Sequence, residues 1–302
     1  NKALQEAMDR AQQELTTLLC AIPNIRGGHR SHCKDMIVRE ARALLDQGVK
    51  ELNLVAQDLT EWGCDLDGKQ DLRTLLDGLL PLQGLERLRL MYLYPAGMTH
   101  EMLKYLREAG KPFVPYFDVP VQHSHPDVLS RMGRPFARNP REAIDRIRNV
   151  FPEAALRTSI MVGFPGETEE HFEHLREFIE EVRFQHLGVF AYRAEEGTPA
   201  AAMPDQVPEE IKEARLSQLM ALQAGISREL NERRVGSECR VLVTGFDGML
   251  YTGRSEMEAP DSDGSILFTA PRELTPGEFV RVRIVRADTY DLYGKLCEEE
   301  EA

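Results

Sequence analysis

Apolar positions along the first two thirds of the chain switch repeatedly between a helical and a strand period. Helical spacing over Asp35–Gln47 closes at Gly48, and the short apolar run Glu51–Val55 follows. The same change recurs from a helix over Asp71–Leu79 to a strand over Arg87–Tyr92. Thr99 is placed to cap a helix over Glu101–Ala109, with a strand region at Pro112–Val119 behind it. Helical Pro140–Val150 leads to strand Ala155–Val162, and helical Glu167–Val182 to strand Gln185–Phe190. Strands that alternate with helices pair in parallel and carry the helices outside, so the pattern predicts an α/β unit, a complete or partial β/α barrel. Active residues of such a barrel lie where strands end and loops begin.

The pattern then changes. Pro204 and Pro208 bracket a linker, and a helix runs over Pro208–Arg234 with Ile211, Leu219, Leu222, Ile226 and Leu230 along one face. After Gly236 come five short alternating runs, Cys239–Thr244, Leu250–Arg254, Ser265–Phe268, Glu278–Val285 and Asp291–Leu296. Their Gly and Pro turns predict a small all-β barrel of roughly sixty residues. At the other end, Leu4, Met8, Ala11, Leu15 and Leu18 stand at helical spacing within Asn1–Leu19. The chain therefore divides into a helical remnant or linker at 1–19, a β/α unit at 20–207, a connecting helix at 208–236 and a β-barrel at 237–298.

Composition narrows the function classes. A hydrophobic content of 42% and a charged content of 29% are ordinary for a soluble globular protein. No apolar run reaches membrane-spanning length, and no secretory signal precedes the first helix. The five cysteines show no paired spacing, which indicates neither a disulfide framework nor a zinc site and leaves a reducing cytoplasm as the expected location. A net charge of −13 argues against broad nucleic-acid binding and leaves basic partners open.

Candidate chemistry gathers at the strand ends. Gln57 and Asp58 follow the first strand, although Asp58 would equally serve as a helix cap or Asx turn. Tyr92-Leu93-Tyr94-Pro95 ends the second strand, and Asp118 to Gln122-His123 follows the third. Three polar clusters in register favour a shared pocket. In Ser159–Thr168 an apolar strand meets a turn with Gly163 and Gly166, whose missing side chains let backbone approach a ligand. Glu167 and Glu169 then suit a helix N-terminus. Arg157 either reaches the pocket or pairs with a carboxylate. His29 and His32 lie on a loop and are not assigned as ligands.

Cys20-Ala-Ile-Pro-Asn-Ile-Arg26-Gly27 resembles the end of a radical-SAM motif, Cys-x-x-x-Cys-x-x-Cys, with the two earlier thiols due at Gln13 and Thr17. Three thiolates on three irons leave the fourth iron open for S-adenosylmethionine, and one cysteine cannot supply them. An amphipathic helix running straight into Cys20 reads as two segments joined across a gap that holds the other thiols. The alternatives are a chain that has lost the chemistry and, for Cys20 alone, an inert buried thiol.

Taken with Glu51–Asp58, Leu93-Tyr94-Pro95, Gln122-His123, Gly163-Phe-Pro-Gly166-Glu167 and Glu196-Gly197-Thr198-Pro199, this stretch is similar to the methylthiotransferase family of radical-SAM proteins. Val-Ala-Gln57-Asp58 and Tyr92-Leu-Tyr-Pro95 resemble its RimO type, and the last barrel resembles a TRAM domain. The family's N-terminal cluster domain is absent from the resemblance. The likeness implies a radical-SAM barrel followed by a TRAM barrel, two 4Fe-4S clusters in the full-length family, and S-adenosylmethionine as cofactor. It implies Cys20 as a metal ligand, and Gln57, Asp58, Gln122, His123, Arg157, Gly163, Gly166 and Glu167 as cofactor-binding residues. The implied reaction uses a 5′-deoxyadenosyl radical to place a methylthio group on the β-carbon of an aspartate in a small-subunit ribosomal protein.

A tRNA adenosine methylthiotransferase of the MiaB type is the nearest alternative; a non-catalytic binding module is the other, should the thiols be truly absent. From Ser237 onward seven basic residues face fourteen acidic ones, a net of −7, the wrong sign for gripping phosphate and a suitable one for a basic ribosomal protein. Arg272, Arg281, Arg283 and Arg286 could still form a local basic strip.

Overall fold

The computed structural model describes residues 29–68, 70–134 and 139–297; Asn1–Leu19, Cys20 and the acidic tail lie outside the described residues. The first part runs α1 (Lys34–Asp46), β1 (Glu51–Leu54), α2 (Leu72–Leu79), β2 (Arg87–Leu90), α3 (His100–Ala109), β3 (Phe113–Asp118), α4 (Pro126–Arg131), α5 (Pro140–Val150), β4 (Ala155–Val162), α6 (Glu169–Val182) and β5 (His186–Ala191). A long helix α7 (Glu209–Glu232) leads to β6 (Glu238–Phe246), β7 (Tyr251–Arg254), β8 (Ile266–Thr269), β9 (Phe279–Ala287) and β10 (Leu292–Leu296).

Strands β1 to β5 form one sheet in sequence order, each parallel to the next, so among the described residues the β/α barrel is partial. Local chemistry sets the helix starts. Asp71 and Thr74 form a capping box on α2, and the Thr99 and Thr168 hydroxyls accept from the third residue of α3 and α6. Helix α6 starts at Glu169 rather than Glu167, because Thr168 is its cap and Glu167 is drawn into the preceding turn. Helix α4, six residues with Pro126 in its first turn, has no counterpart in the sequence reading. Along β4, Leu156, Ile160 and Val162 are buried under the helices, whereas Arg157, Ser159 and Met161 face the other way and are half-buried.

Helix α7 departs from its apolar pattern. Ile211 is exposed, and the buried face carries Lys212, Arg215, Gln223 and Ser227 beside Leu219 and Ile226. It packs on the sheet unit, where the Gln223 amide donates to the Phe184 carbonyl (2.8 Å). No helix among the described residues is long and apolar enough to cross a membrane.

Strands β6 to β10 close into a barrel in the order β10-β8-β7-β6-β9, antiparallel except for the β10–β8 pair. Its core is Val241, Val243, Ile266, Phe268, Val282 and Ile284. Gly294 is required there, since a Cβ would stand 2.3 Å from Val282.

The loop between β7 and β8 lies on the inner face of the sheet. Arg87 and Arg89, fully buried on β2, flank Glu51 on β1 and donate to the carbonyls of Arg240, Arg254 and Glu256. Arg254 reaches back to Glu51 at 3.1 Å. Asp263 accepts from the Tyr116 hydroxyl (2.6 Å), the Arg157 guanidinium (2.7 Å) and the Ala259 N–H (2.8 Å). Buried charges persist only when paired and hydrogen-bonded, and these are both.

Candidate active site at the carboxyl ends of the strands

Because β1 to β5 are parallel, the loops that follow them share one edge of the sheet. After β1, Gln57 is exposed, and the Asp58 carboxylate accepts from the Thr60 N–H (2.9 Å) and hydroxyl (2.5 Å), capping the short 3-10 turn Leu59–Glu61. Burial pushes the Asp58 carboxyl up, against these two donors. This turn is tied to the end of β2, where the Tyr92 carbonyl accepts from the Leu59 N–H (3.1 Å). Tyr92 itself is left-handed at φ 56°, held by its N–H to the Asp118 carboxylate (3.1 Å).

A second left-handed residue, Gln122 at φ 67°, ends the segment after β3. Its backbone bridges β4, donating to the Ser159 carbonyl (2.9 Å) and accepting from the Met161 N–H (2.7 Å). Non-glycine residues in this region cost energy unless surroundings hold them, and they cluster at functional sites. Two stand here, at the ends of adjacent strands.

Beneath Gln122 lies a buried polar group. His123 and Glu167 are fully covered, with Nε2 3.6 Å from Oε2, beyond hydrogen-bond distance. The Nδ1 atom of His123 accepts the His125 N–H (2.9 Å), so the neutral ring carries its proton on Nε2, aimed at Glu167. Burial, reinforced by His125, His171, His174 and Arg215, lowers His123 to about 3. Glu167 accepts from the Gly163 N–H (2.9 Å) and from Arg215 of α7 (2.7 Å), while Arg215 also bonds Glu169 (3.0 Å). Burial pushes the Glu167 carboxyl up, and the Arg215 charge opposes that.

The glycines of this turn hold left-handed backbone that other residues rarely adopt. A Cβ on Gly163, at φ 73°, would also stand 2.2 Å from the Lys212 stem, whereas at Gly166, at φ 79°, the nearest group is the movable end of the Arg131 side chain. Arg157 does not stand open toward the strand ends. It lies between Asp118 (3.6 Å) and Asp263 (2.7 Å), the pairing role of the two open to it.

The structure thus joins His123, Gly163 and Glu167 in one cluster and sets Gln122 over it. Gln57 and Asp58 share the same end of the sheet three strands away, while Arg157 sits lower on the inner face. Cys20 lies outside the described residues. The inner face offers material for a small polar ligand with an aromatic part. Val55, Tyr92 and Phe190 are 65%, 46% and 58% exposed, and Asn53 Oδ1 is buried without a hydrogen-bond partner among the described residues. An orphaned acceptor beside apolar surface fits S-adenosylmethionine.

A profile described as the Radical SAM superfamily matches residues 19–179. The chain belongs to the radical SAM superfamily. A TRAM domain profile matches residues 235–297, the span of the closed barrel. A curated relative, the ribosomal protein uS12 methylthiotransferase RimO of Oleidesulfovibrio alaskensis, is 60% identical over 277 residues, covering 90% of this chain and 64% of the relative. The protein of the same name from Nitratidesulfovibrio vulgaris (strain DP4) is 57% identical with the same coverage. The chain therefore spans just under two thirds of the length of these relatives, 64%. Among solved structures, coproporphyrinogen III oxidase (HemN) from Escherichia coli, a radical SAM enzyme, aligns with a TM-score of 0.47 at 15% identity, over 85% of this chain and 61% of that one.

In this radical SAM chain, sequence reasoning missed Arg215, which sits on a helix read as a connector. The available signal was Lys212 and Arg215, spaced i,i+3 on the face that also carries Leu219 and Ile226. Asn53 and Phe190 were hidden inside runs read simply as strands.

Proposed function

We propose that this chain carries the radical-SAM and TRAM parts of a methylthiotransferase that places a methylthio group on the β-carbon of an aspartate in ribosomal protein uS12. The observation that carries this reading is the 60% identity over 277 residues to a uS12 methylthiotransferase, spanning both the sheet unit and the closed barrel. Bound cluster and S-adenosylmethionine together supply carbon-centred radical chemistry, with Cys20 as one cluster ligand.

The described residues have defined tasks in this reading. Gln57, Gln122 and Asn53 meet the polar parts of S-adenosylmethionine, with Val55, Tyr92 and Phe190 as its apolar walls. His123, Gly163, Gly166, Glu167 and Arg215 hold the turn after β4 rigid beneath it, and Asp58 fixes the turn after β1. Arg157 orients Asp118, which sets the backbone of Tyr92. A reducing cytoplasm suits the thiolates this chemistry needs.

The acidic balance of the barrel favours a basic protein partner. One observation favours the RNA reading instead. Arg281 and Arg283 project from the outer face of β9, and Lys295 pairs across from Arg283 on β10. Glu238 bonds both arginines, at 2.8 and 2.6 Å, and so offsets part of that strip.

The deciding experiment offers the anaerobically reconstituted protein uS12 and tRNA side by side, with reductant and S-adenosylmethionine, and reads both by mass spectrometry. A methylthio gain on an aspartate of uS12 is expected. Modification of a tRNA adenosine with uS12 untouched would overturn the assignment.

A further inference from the structure

Half of the chain's eight histidines lie at 123, 125, 171 and 174, and three of them are outside the buried group described above. His125 caps α4, and His171 and His174 stand i,i+3 on the first turns of α6. The rings of His125 and His171 are 4.2 Å apart, and that of His174 stands edge-on to His125 at 5.1 Å. Asp127 is exposed beside them, and one ligand atom from each of His125, Asp127 and His171 lies within 4.8 Å of the others.

We propose that His125, Asp127 and His171 form a binding site for a late first-row divalent cation of the zinc class, separate from the radical-SAM centre. Two imidazoles and a carboxylate are the donor set such ions take, and three protein ligands leave a position for water on the exposed side. Glu170, which acts on His125 electrostatically, adds negative charge at the site.

Binding has a cost that the structure makes explicit. Nδ1 of His125 accepts the Asp127 N–H at 3.3 Å, and Nδ1 of His171 accepts the Thr168 N–H at 3.2 Å. Either ring can bind an ion only by moving its proton to Nδ1 and offering Nε2, or by turning over to offer Nδ1 itself, and both changes give up those bonds. The bonds are at or beyond the long end of the normal range, and both are solvent-exposed, so water can take over the N–H groups. The gain is a clip between two loops. His125 follows His123 by two residues, and His171 follows Glu167 by four, so an ion here would join the loops that position the buried His123–Glu167 contact.

The test titrates Co2+ into the full chain anaerobically and follows its visible spectrum. A nitrogen/oxygen site gives d–d bands without a thiolate charge-transfer band, which separates it from any site built on cysteine. Expected are such bands in the wild type and their loss in His125→Ala, His171→Ala and Asp127→Asn. Zn2+ should displace the Co2+ signal and raise the melting temperature of the wild type but not of the variants. Asp127→Asn is exposed and conservative, which keeps a folded variant in the series. Absence of the bands in the wild type, or their persistence in all three variants, would overturn the site.

Discussion

His123 should make stability depend on pH in a way that one substitution removes. Its imidazole has an ordinary value of 6.5 and is lowered to about 3 in the fold, first by burial and then by the positive neighbours around it. Between those values the unfolded chain binds a proton that the folded chain refuses. The contribution is therefore complete above 6.5 and is lost as pH falls toward 3. At about pH 4.5, roughly two units into the window, the loss is about 2.7 kcal/mol, from about 1.4 kcal/mol per unit. The comparison is urea unfolding of the wild type and of His123→Asn at about pH 7.5 and about pH 4.5. Asparagine keeps an acceptor near the place where Nδ1 receives the His125 N–H, and it does not titrate. The variant should be less stable at neutral pH, because a smaller side chain fills the site, but it should lose about 2.7 kcal/mol less than the wild type on acidification. Groups common to both proteins contribute alike and cancel in the comparison. Parallel losses in the two proteins would refute the assignment of a neutral, buried His123.

Two further substitutions probe the contacts made over long sequence separations. Arg215→Met leaves the Glu167 carboxylate buried without its 2.7 Å partner and should cost about 3–5 kcal/mol in urea unfolding, much of it regained in the double variant with Glu167→Gln. Asp263→Asn removes the charge facing Arg157 and weakens the bond from the Tyr116 hydroxyl; it should cost about 2–4 kcal/mol and lower hydrogen-exchange protection in the β7–β8 loop, whereas unchanged protection there would show that the loop is held by its apolar contacts alone.

Much of the architecture was legible in the order of residues. Strand and helix periods are local properties, set by which side chains meet one face of a sheet or helix. The parallel alternation and the closed barrel were therefore readable directly, and the strand-end polar clusters followed from them. Thr99 was readable as a cap for the same reason, whereas Asp71 and Thr168, which cap by the same three-residue reach, fall inside the helices read from Asp71 and Glu167.

What the sequence could not express is which polar side chains are buried, because that depends on partners far along the chain. Arg87 and Arg89 sit in a run read simply as a strand, and it is the end of β7 and the loop after it, more than 160 residues later, that bring carbonyls to them. Arg157 was left between two roles by its own neighbourhood, and Asp263, 106 residues on, settled its pairing. Glu167 read as a helix-start acid until Arg215, 48 residues away, turned it into half of a buried pair. A buried charge is tolerated only where opposite charge and hydrogen bonds converge in space, and that convergence exists only once the helix α7 and the closed barrel have packed against the sheet.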